Sequence, residues 1–270
     1  VYKHLNIGTA KPTTDELATI PHHLINILEP DDDYSVSIFQ QQAKSLINQL
    51  NDNHVVPILS GGTGLYVQSL LENYNFNDIK PNTKLRIELD ELYTEYGVDG
   101  LREYAQKLAE KGGIEIKYTD KHRLYRAIEL MTAGDYKSLI KQTKEGLSYK
   151  GPVIGLQRER SDLYDRINRR VEIMFEKGLV DEVKQLLKSG VNPNCQAFKG
   201  IGYKEVVQYL EGLISYDACV DLIQKNTRHF AKRQITWYKR MPYIEWITID
   251  SQTTEAEIYG MACNIIDSSF

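Results

Sequence analysis

The chain has 270 residues, of which 41% are hydrophobic and 26% charged, and its formal net charge is −4. This composition is that of a globular protein with a buried core, and it excludes an intrinsically disordered chain. No apolar run approaches the roughly 18 residues of a membrane span, and no signal peptide opens the sequence, so we expect a cytoplasmic protein with no membrane partner. The three cysteines are too scattered for a disulfide framework or a zinc site.

Residues 31–71 alternate between element types. Ser35 is a good N-cap for an amphipathic helix, which residues 51–53 end. Residues 55–59 are a short apolar run rich in β-branched side chains and predict a buried strand. The glycine-rich stretch 60–64 follows, and a second helix begins at Leu65. This order is typical of an α/β protein with a parallel sheet.

The rest of the chain predicts a helical insertion and then a return to the α/β pattern. Residues 77–138 show helical patterns without a convincing strand. Residues 151–157 predict a returning strand, and a long helix from about Ser161, helix to about Lys239 and a strand over 243–249 follow. We therefore expect an α/β core formed by residues 1–76 and 139–270, with an all-helical insertion over 77–138.

The glycine loop at residues 60–64 is the first candidate site. Glycines between a strand and a helix N-terminus let backbone N–H groups approach a phosphate, and Thr63 adds a hydroxyl. A tight turn with Thr63 as a helix cap explains the same residues, and both interpretations stay open. The loop is not a Walker A motif, because no Gly-Lys-Ser/Thr follows.

Two clusters of cations are further candidates. Arg166 and Arg170 lie four residues apart on a predicted helix and share a face that can hold a diphosphate, unless nearby carboxylates pair with them. Residues 222–244 contain no acidic side chain, and their lysines and arginines recur at helical spacing. This basic stripe is either a footprint for a phosphate backbone or a solvated helix face. It comprises Lys225, Arg228, Lys232 and Lys239, whereas Ile223, Phe230 and Trp237 fall on a different face and are predicted core residues.

Seven stretches of the chain occur in the order of one enzyme family. They are residues 2–12 (Tyr-Lys-His-Leu-Asn-Ile-Gly-Thr-Ala-Lys-Pro), 21–24 (Pro-His-His-Leu), Tyr34-Ser35 with Phe39, 61–66 (Gly-Gly-Thr-Gly-Leu-Tyr), 122–129 (His-Arg-Leu-Tyr-Arg-Ala-Ile-Glu), 199–205 (Lys-Gly-Ile-Gly-Tyr-Lys-Glu), and Thr227-Arg228 with 231–237 (Ala-Lys-Arg-Gln-Ile-Thr-Trp). Together they resemble the tRNA dimethylallyltransferase family, also called tRNA isopentenyltransferase.

The resemblance implies a P-loop-kinase-like parallel-sheet core of the nucleotide-binding class, with a helical insertion that grips the tRNA anticodon arm. It implies transfer of a dimethylallyl group from dimethylallyl diphosphate to N6 of the adenine 3′-adjacent to the anticodon, with Mg²⁺ as cofactor. Such a displacement at the allylic C1 requires a base, stabilisation of the leaving diphosphate and an adenine taken out of its stack.

Position by position, the resemblance assigns catalytic roles to Thr63, near the amine and the donor, and to Arg170, which clamps the diphosphate. The diphosphate-binding residues that it implies are Gly61, Gly62, Thr63, Arg166 and Arg170. The tRNA-binding residues that it implies are Lys84, His122, Arg123, Leu124, Tyr125, Arg126, Lys199, Gly200, Ile201, Gly202, Tyr203, Lys204, Arg228, Lys232 and Arg233.

In the family, a strand, a P-loop of the Gly-x-x-x-x-Gly-Lys-Ser/Thr type and an Asp-Ser-x-Gln segment precede the position at which Val1 aligns. We therefore expect the Mg²⁺ ligands and the general base in that N-terminal segment, no metal ligand within this chain, and no transferase activity from a polypeptide that begins at Val1.

Three functions remain open from the sequence. The first is the tRNA prenyltransferase, the second a relative that prenylates free adenine nucleotides, and the third a non-catalytic RNA-binding protein. The basic segment 121–126 in the predicted insertion and the basic C-terminal helix favour tRNA. Nothing demands a partner subunit, so we expect a monomer.

Overall fold

The computed structural model describes residues 1–76, 79–140 and 146–269. Within these residues the chain forms ten α-helices and two β-strands, and none of the helices is both long and apolar enough to cross a bilayer. The elements are α1 (Thr14–Thr19), α2 (Val36–Asp52), α3 (Gly64–Leu71), α4 (Thr83–Lys111), α5 (Lys121–Thr132), β1 (Val153–Arg158), α6 (Arg160–Glu176), α7 (Leu179–Lys188), α8 (Tyr203–Leu210), α9 (Tyr216–Tyr238), β2 (Ile244–Ile249) and α10 (Glu255–Ser269).

The chain divides into two compact units. The first contains Val1–Val67 and Tyr149–Phe270, and the second contains Gln68–Ser148. The second unit is longer at both ends than the insertion expected over 77–138, because its two ends are joined: the N–H of Ser148 donates to the carbonyl oxygen of Leu71 at 2.7 Å. Residues 77, 78, 141–145 and 270, which the expected domain ranges include, lie outside the described residues.

The two strands of the first unit form a small parallel sheet. β1 and β2 pair with Val153 opposite Ile244 and Arg158 opposite Ile249. Both strands lie where the sequence predicts them. α6 directly follows β1, α9 directly precedes β2, and the two helices pack against each other. The mixed α/β class is therefore confirmed, with a sheet of two strands in the described part of the chain.

The strand predicted over residues 55–59 is not formed. This segment has no regular secondary structure, and the side chains of Val56 and Ile58 are 83% and 90% exposed. An apolar, β-branched sequence favours a strand, but a strand also needs a neighbour that accepts and donates backbone hydrogen bonds. No segment among the described residues supplies that neighbour. The prediction of a buried strand is therefore wrong for this structure.

The core of the first unit is built by the four helices α6 to α9. Each contributes buried apolar side chains, such as Val171 of α6, Val183 of α7, Val206 of α8 and Ile223 of α9. Gly178 separates α6 from α7 with a φ of 91°, a conformation that glycine adopts without strain. This packing makes α9 a fixed support for whatever lies against its remaining faces.

A carboxylate of α7 joins the beginning of the chain to this core. Glu182 accepts hydrogen bonds from the backbone N–H groups of Asn6 and Ile7, each at 2.9 Å, and of Gly8 at 3.5 Å. It also accepts a bond from the hydroxyl of Tyr203 at 2.7 Å. Successive N–H groups that converge on one anion form a backbone nest. Two of the stretches that resemble the prenyltransferase family are thereby held together.

The second unit is built by α4 and α5 around a buried carboxylate. Gly97, with a φ of 65°, interrupts α4, and the two helices enclose an apolar core. Glu129 of α5 is 3% exposed and accepts bonds from Nε of Arg86 at 2.7 Å, Nη1 of Arg126 at 3.3 Å and the backbone N–H of Asn82 at 3.0 Å. Burial alone would raise the pKa of this carboxyl, but the hydrogen bonds outweigh it and the pKa is lowered.

We predict that Glu129→Gln lowers the free energy of unfolding by about 1–3 kcal/mol at neutral pH, because buried charge-assisted bonds are lost. A carboxyl whose pKa is lowered in the folded state contributes its full stability at pH values above its pKa in the unfolded chain, 4.5. This contribution to stability disappears as the pH falls through the pKa of the folded state. The difference between wild type and variant, measured by chemical denaturation, should therefore shrink in acid.

Glu103 provides the matched control, because it forms an exposed ion pair with Lys107 at 2.8 Å within the same unit. Glu103→Gln should change stability by no more than about 0.5 kcal/mol. Equal effects of the two substitutions would contradict a special role for Glu129.

Candidate functional site

The glycine loop presents unused backbone donors at the start of α3. In the described part of the chain, the N–H groups of Gly61, Gly62 and Thr63 donate to no protein acceptor. The carbonyl oxygen of Thr63, in contrast, accepts bonds from the N–H groups of Tyr66 at 2.9 Å and Val67 at 3.1 Å, which start the helix. Free N–H groups that converge at a helix N-terminus favour an anion such as a phosphate. The local geometry therefore suits diphosphate binding.

α9 holds this loop from one side. Nε2 of Gln234 donates to the carbonyl oxygen of Gly62 at 2.7 Å. A Cβ atom built on Gly62 would lie 2.2 Å from Nε2 of Gln234, and one built on Gly64 would lie 2.4 Å from Cδ1 of Trp237. Real Cβ atoms do not approach neighbours so closely. An added Cβ at position 62 or 64 would therefore displace the side chain of α9 that contacts the loop.

Aromatic side chains support the loop at its far end. The ring of Tyr66, in the first turn of α3, packs against Phe39 of α2 with ring centroids 4.9 Å apart. It also lies 6.4 Å from the ring of Tyr34. Gln196 holds Tyr34 in turn, because its side chain bonds to both the backbone N–H and the carbonyl oxygen of that residue. The start of α3 is thus packed on both sides.

The arginines of α6 are exposed and uncompensated. In the described residues, the guanidinium groups of Arg166 and Arg170 form no hydrogen bond or ion pair. The sequence left open that neighbouring carboxylates neutralise Arg166 and Arg170, and no such ion pair occurs among the described residues. Asn168, on the same helix, accepts a bond from Nη1 of Arg228 at 2.5 Å, which ties α6 to α9. α9 thus contacts both the glycine loop and the helix that carries the two free arginines.

The basic stripe of α9 is exposed for most of its length. Lys225, Lys232 and Lys239 are exposed, and their side-chain ammonium groups have no charged or hydrogen-bonding partner among the described residues. Arg228 is half-buried through its bond to Asn168. Arg233 instead covers an aromatic ring, because its guanidinium lies 5.8 Å from the ring centroid of Phe230.

Of the three predicted core residues on the other face of α9, only Ile223 belongs to the core, and Trp237 is half-buried. Ile223 is 1% exposed and Trp237 packs against Gly64, but Phe230 is 37% exposed. Helical spacing places all three on one side of the helix, yet a face is buried only where another element covers it. The prediction that Phe230 belongs to the core is therefore wrong for this structure.

The stretch 199–204 divides between exposed and buried side chains. Lys199, Gly200 and Lys204 are exposed, whereas Gly202 is buried and Ile201 is half-buried. The side chain of Tyr203 is 1% exposed, and its ring stacks on that of Phe198 with centroids 5.9 Å apart. Burial raises the pKa of the Tyr203 hydroxyl, and its bond to Glu182 raises it further. Nζ of Lys204 lies 3.5 Å from the buried carboxylate of Glu205, so this lysine is partly compensated. A contact with RNA is therefore available from Lys199, from the exposed part of Lys204 and from backbone groups, and Tyr203 is a core residue.

The basic segment of the second unit is divided in the same way. His122 and Arg123 are exposed without a partner among the described residues, and so is Lys84 of α4. Leu124 and Tyr125 are 0% and 6% exposed, so both side chains belong to the core of this unit. Three of the six tRNA-binding residues expected in this unit therefore present their side chains to solvent.

The remaining polar groups of this segment are engaged within the protein. The hydroxyl of Tyr125 donates to Asp90 at 2.8 Å. Arg126, which the sequence also assigns to tRNA, donates to the carbonyl oxygen of Ile79 at 2.7 Å as well as to Glu129. The guanidinium of Arg126 therefore orders the entry into α4.

The described residues contain no group of three or more His, Cys, Asp or Glu side chains with the geometry of a metal site. Magnesium is usually held by one or two carboxylates together with substrate phosphates. No protein ligand set for Mg²⁺ is therefore assigned to the described residues.

Sequence reasoning missed the residues that support the candidate site. The loop is held by Gln234 and Trp237, and α6 is held by the bond of Asn168 to Arg228. The basic stripe, on which the sequence-based prediction rested, lies on a different face of α9. A signal was present, since Gln234 and Trp237 are three residues apart and share a helix face. Both stand in the stretch Ala-Lys-Arg-Gln-Ile-Thr-Trp.

We predict that Gly64→Ala lowers the free energy of unfolding of the first unit by about 1–3 kcal/mol, because its Cβ would overlap the Trp237 ring. Chemical denaturation followed by tryptophan fluorescence measures the change. Gly61→Ala is the matched control for stability, because a Cβ there has no neighbour within 4 Å. Equal loss of stability in both variants would contradict the close packing of Gly64 on Trp237.

Comparison with known proteins shows the family to which this chain is similar. The IPP transferase family profile matches residues 1–241. A tRNA dimethylallyltransferase of Alkaliphilus metalliredigens is 39% identical over 98% of this chain and 86% of its own length. One from Carboxydothermus hydrogenoformans is 41% identical over 94% of this chain and 83% of its own length.

Solved structures give the same result. A full-length tRNA isopentenylpyrophosphate transferase from Bacillus halodurans has a TM-score of 0.70 at 35% identity, and the match covers 100% of this chain and 86% of the other. A eukaryotic dimethylallyltransferase acting on tRNA shares the fold, with a TM-score of 0.75 at 22% identity over 96% of this chain and 68% of the other. From its sequence and its fold, this chain belongs to the IPP transferase family.

Proposed function

We propose that this protein transfers a dimethylallyl group from dimethylallyl diphosphate to N6 of the adenine 3′-adjacent to the anticodon of a tRNA. The observation that carries the proposal is the loop of free backbone N–H groups at Gly61, Gly62 and Thr63, held by the same helix that binds α6 with its free arginines. Family membership and the names of the bacterial relatives support the choice of substrates.

The loop and the arginines of α6 serve the diphosphate. As the bond between C1 and the diphosphate oxygen breaks, its electron pair leaves with the diphosphate and negative charge accumulates there. N–H groups and guanidinium groups that are already oriented stabilise this charge without reorganisation. In the proposal, Gly61, Gly62 and Thr63 donate backbone N–H groups, and Arg166 and Arg170 donate their guanidinium groups.

The acceptor amine forms the new bond to C1 with its lone pair and then loses one proton to a base. We assign the Thr63 hydroxyl to the amine, where its oxygen can accept a hydrogen bond from N6 and orient the lone pair. None of the described candidates is assigned as the base. The adenine must leave its stack to reach the loop, which costs least in an unpaired loop nucleotide.

The tRNA is bound by local positive charge. The net charge of −4 gives the whole protein no attraction for a polyanion, but the exposed cations of α9 are concentrated on one side of that helix. In the proposal Arg228, Lys232 and Arg233 contact the phosphate backbone, and Lys199 and Lys204 add two more cations. The second unit contributes Lys84, His122 and Arg123 as a helical module that grips the anticodon arm.

The proposal includes Mg²⁺, whose chemistry would be to neutralise diphosphate oxygens. Because the described residues offer no cluster of metal ligands, no step is assigned to the ion. We further propose a P-loop-related core, a cytoplasmic location and a monomeric protein.

The test of the proposed function is transfer of labelled dimethylallyl diphosphate by the full-length enzyme with Mg²⁺, offered unmodified tRNA and free AMP. We predict label on tRNA alone. Arg170→Ala should lower kcat/KM for the donor by about 100-fold, because a donor to the leaving group is lost. Label on AMP would replace tRNA by free nucleotide as the acceptor, and tRNA binding without transfer would contradict the enzyme assignment.

Arg160→Ala provides the matched control, because Arg160 is exposed on the same helix and has no side-chain partner among the described residues. Its kcat/KM should stay within about twofold of wild type, a change too small to reflect a lost leaving-group contact. A similar loss in both variants would show that α6 contributes only general positive charge.

The basic stripe makes a separate prediction about salt. If Lys232 neutralises one RNA phosphate, Lys232→Ala should reduce the slope of log K against log salt concentration by about 0.7 to 1. Filter binding of tRNA across a salt series measures this slope. Lys188→Ala, an exposed change on α7, should leave the slope unaltered, and an unaltered slope for Lys232→Ala would remove that lysine from the footprint.

A further inference from the structure

The conformation of the glycine loop is set by few contacts. Residues 55–63 have no regular secondary structure, and no backbone N–H between Val56 and Thr63 donates to a described protein acceptor. The backbone N–H groups that would bind the donor are therefore not held by a ladder or a turn. Among the described residues, side-chain contacts are what can orient them.

Gln234 makes the contact that sets this orientation. Its Nε2 lies 2.7 Å from the carbonyl oxygen of Gly62. That carbonyl belongs to the same planar peptide as the N–H of Thr63, and in a trans peptide the C=O and the N–H point in opposite directions. Because the Gly62 oxygen points to α9, the Thr63 N–H points away from α9. The hydrogen bond from Gln234 thus sets the direction of the Thr63 N–H, which is a donor of the candidate site.

The helix that carries Gln234 is rigid on both sides of this residue. Ala231 is buried one turn before it, and Trp237 packs on Gly64 one turn after it. Further back, Asn226 donates to the buried carboxylate of Glu205 at 2.8 Å. The backbone that carries Gln234 is therefore held on both sides by packing, and its amide reaches the loop from that backbone.

We infer that Gln234 is a positioning residue for prenyl transfer. It holds the Gly62–Thr63 peptide so that the N–H and the hydroxyl of Thr63 face the donor together. This inference rests on the proposed function, since it assumes that the loop binds the diphosphate. It assigns to Gln234 no contact with either substrate.

Three variants of the full-length enzyme, two single and one double, test the inference. Gln234→Leu removes the side-chain amide that donates to the Gly62 carbonyl. Gly62→Ala adds a Cβ that displaces the same amide, and the double variant contains both changes. Each single change should lower kcat by about 10- to 100-fold, because a misplaced loop stabilises the leaving group poorly, while KM for tRNA changes less than about twofold. The double variant should lose little more than the worse single variant, because both changes break one contact.

Gln234→Glu tests the role through the pH dependence of kcat, which a purely structural role of Gln234 would not change. A carboxylate cannot donate to the Gly62 carbonyl, but a neutral carboxyl group can. The ratio of variant to wild-type kcat should therefore rise as the pH is lowered. The control is Gln185→Glu, on an exposed side chain of α7 with no described partner, for which this ratio should stay flat.

The outcomes separate the two proposals. Suppose that wild type transfers the label to tRNA, but Gln234→Leu keeps its full kcat or loses only in KM for tRNA. Either result would overturn the positioning role and leave the proposed function intact. A flat pH ratio for Gln234→Glu would also overturn it. Absence of transfer by wild type would overturn the proposed function itself. Thermal unfolding identifies any variant that does not fold. If Gln234→Leu does not fold, Gly62→Ala and Gln234→Glu test the positioning role.

Discussion

The close approach of the glycine loop to α9 is the constraint on which the candidate site depends. At Gly62 and Gly64 the backbone lies so near to Gln234 and Trp237 that an added Cβ would force these side chains to move. The same helix is bonded to α6 through Asn168 and ends directly before β2. Loop, free arginines and sheet are therefore built around one element, and a shift of α9 would move the donors of the loop together with the cations of its own stripe.

Some carboxylates of this acidic protein are engaged inside the fold and are not available to the cations of the basic stripe. Glu205 is 0% exposed and accepts bonds from the backbone N–H of Gly202 and from Asn226, both at 2.8 Å. Glu182 and Glu129 are likewise engaged by backbone N–H groups or by internal partners. Acids used in this way stabilise loops and helix starts, and they do not neutralise the exposed side of α9. Net charge is therefore a poor guide to the partner of this protein, whereas the distribution of charge is a good one.

The sequence predicted most of the elements because their local signals are strong. Ser35 caps α2 as expected, accepting a bond from the N–H of Ile38. The strand at residues 55–59 was wrong because a strand depends on a partner that no local pattern reveals. Phe230 was misplaced for a related reason, since spacing identifies a helix face but cannot show how far neighbours cover it.

The candidate site was predictable only in part. The glycines, Thr63 and the arginines of α6 carry recognisable chemistry, and family resemblance gave them roles. Tyr203, Leu124 and Tyr125 belong to the same resembling stretches, yet their burial makes them supports of those stretches. A motif marks a segment, and only packing shows which of its side chains face a ligand. The amide of Gln234 escaped sequence analysis because its role is a bond to one backbone oxygen.

The most direct test of the account is a crystal structure of the full-length enzyme with an anticodon stem-loop and an uncleavable analogue of dimethylallyl diphosphate. We predict diphosphate oxygens within hydrogen-bonding distance of the Thr63 N–H and the Arg170 guanidinium, with the Gly62 carbonyl still bonded to Gln234. A diphosphate bound away from residues 61–63, with Arg170 in solvent, would contradict it.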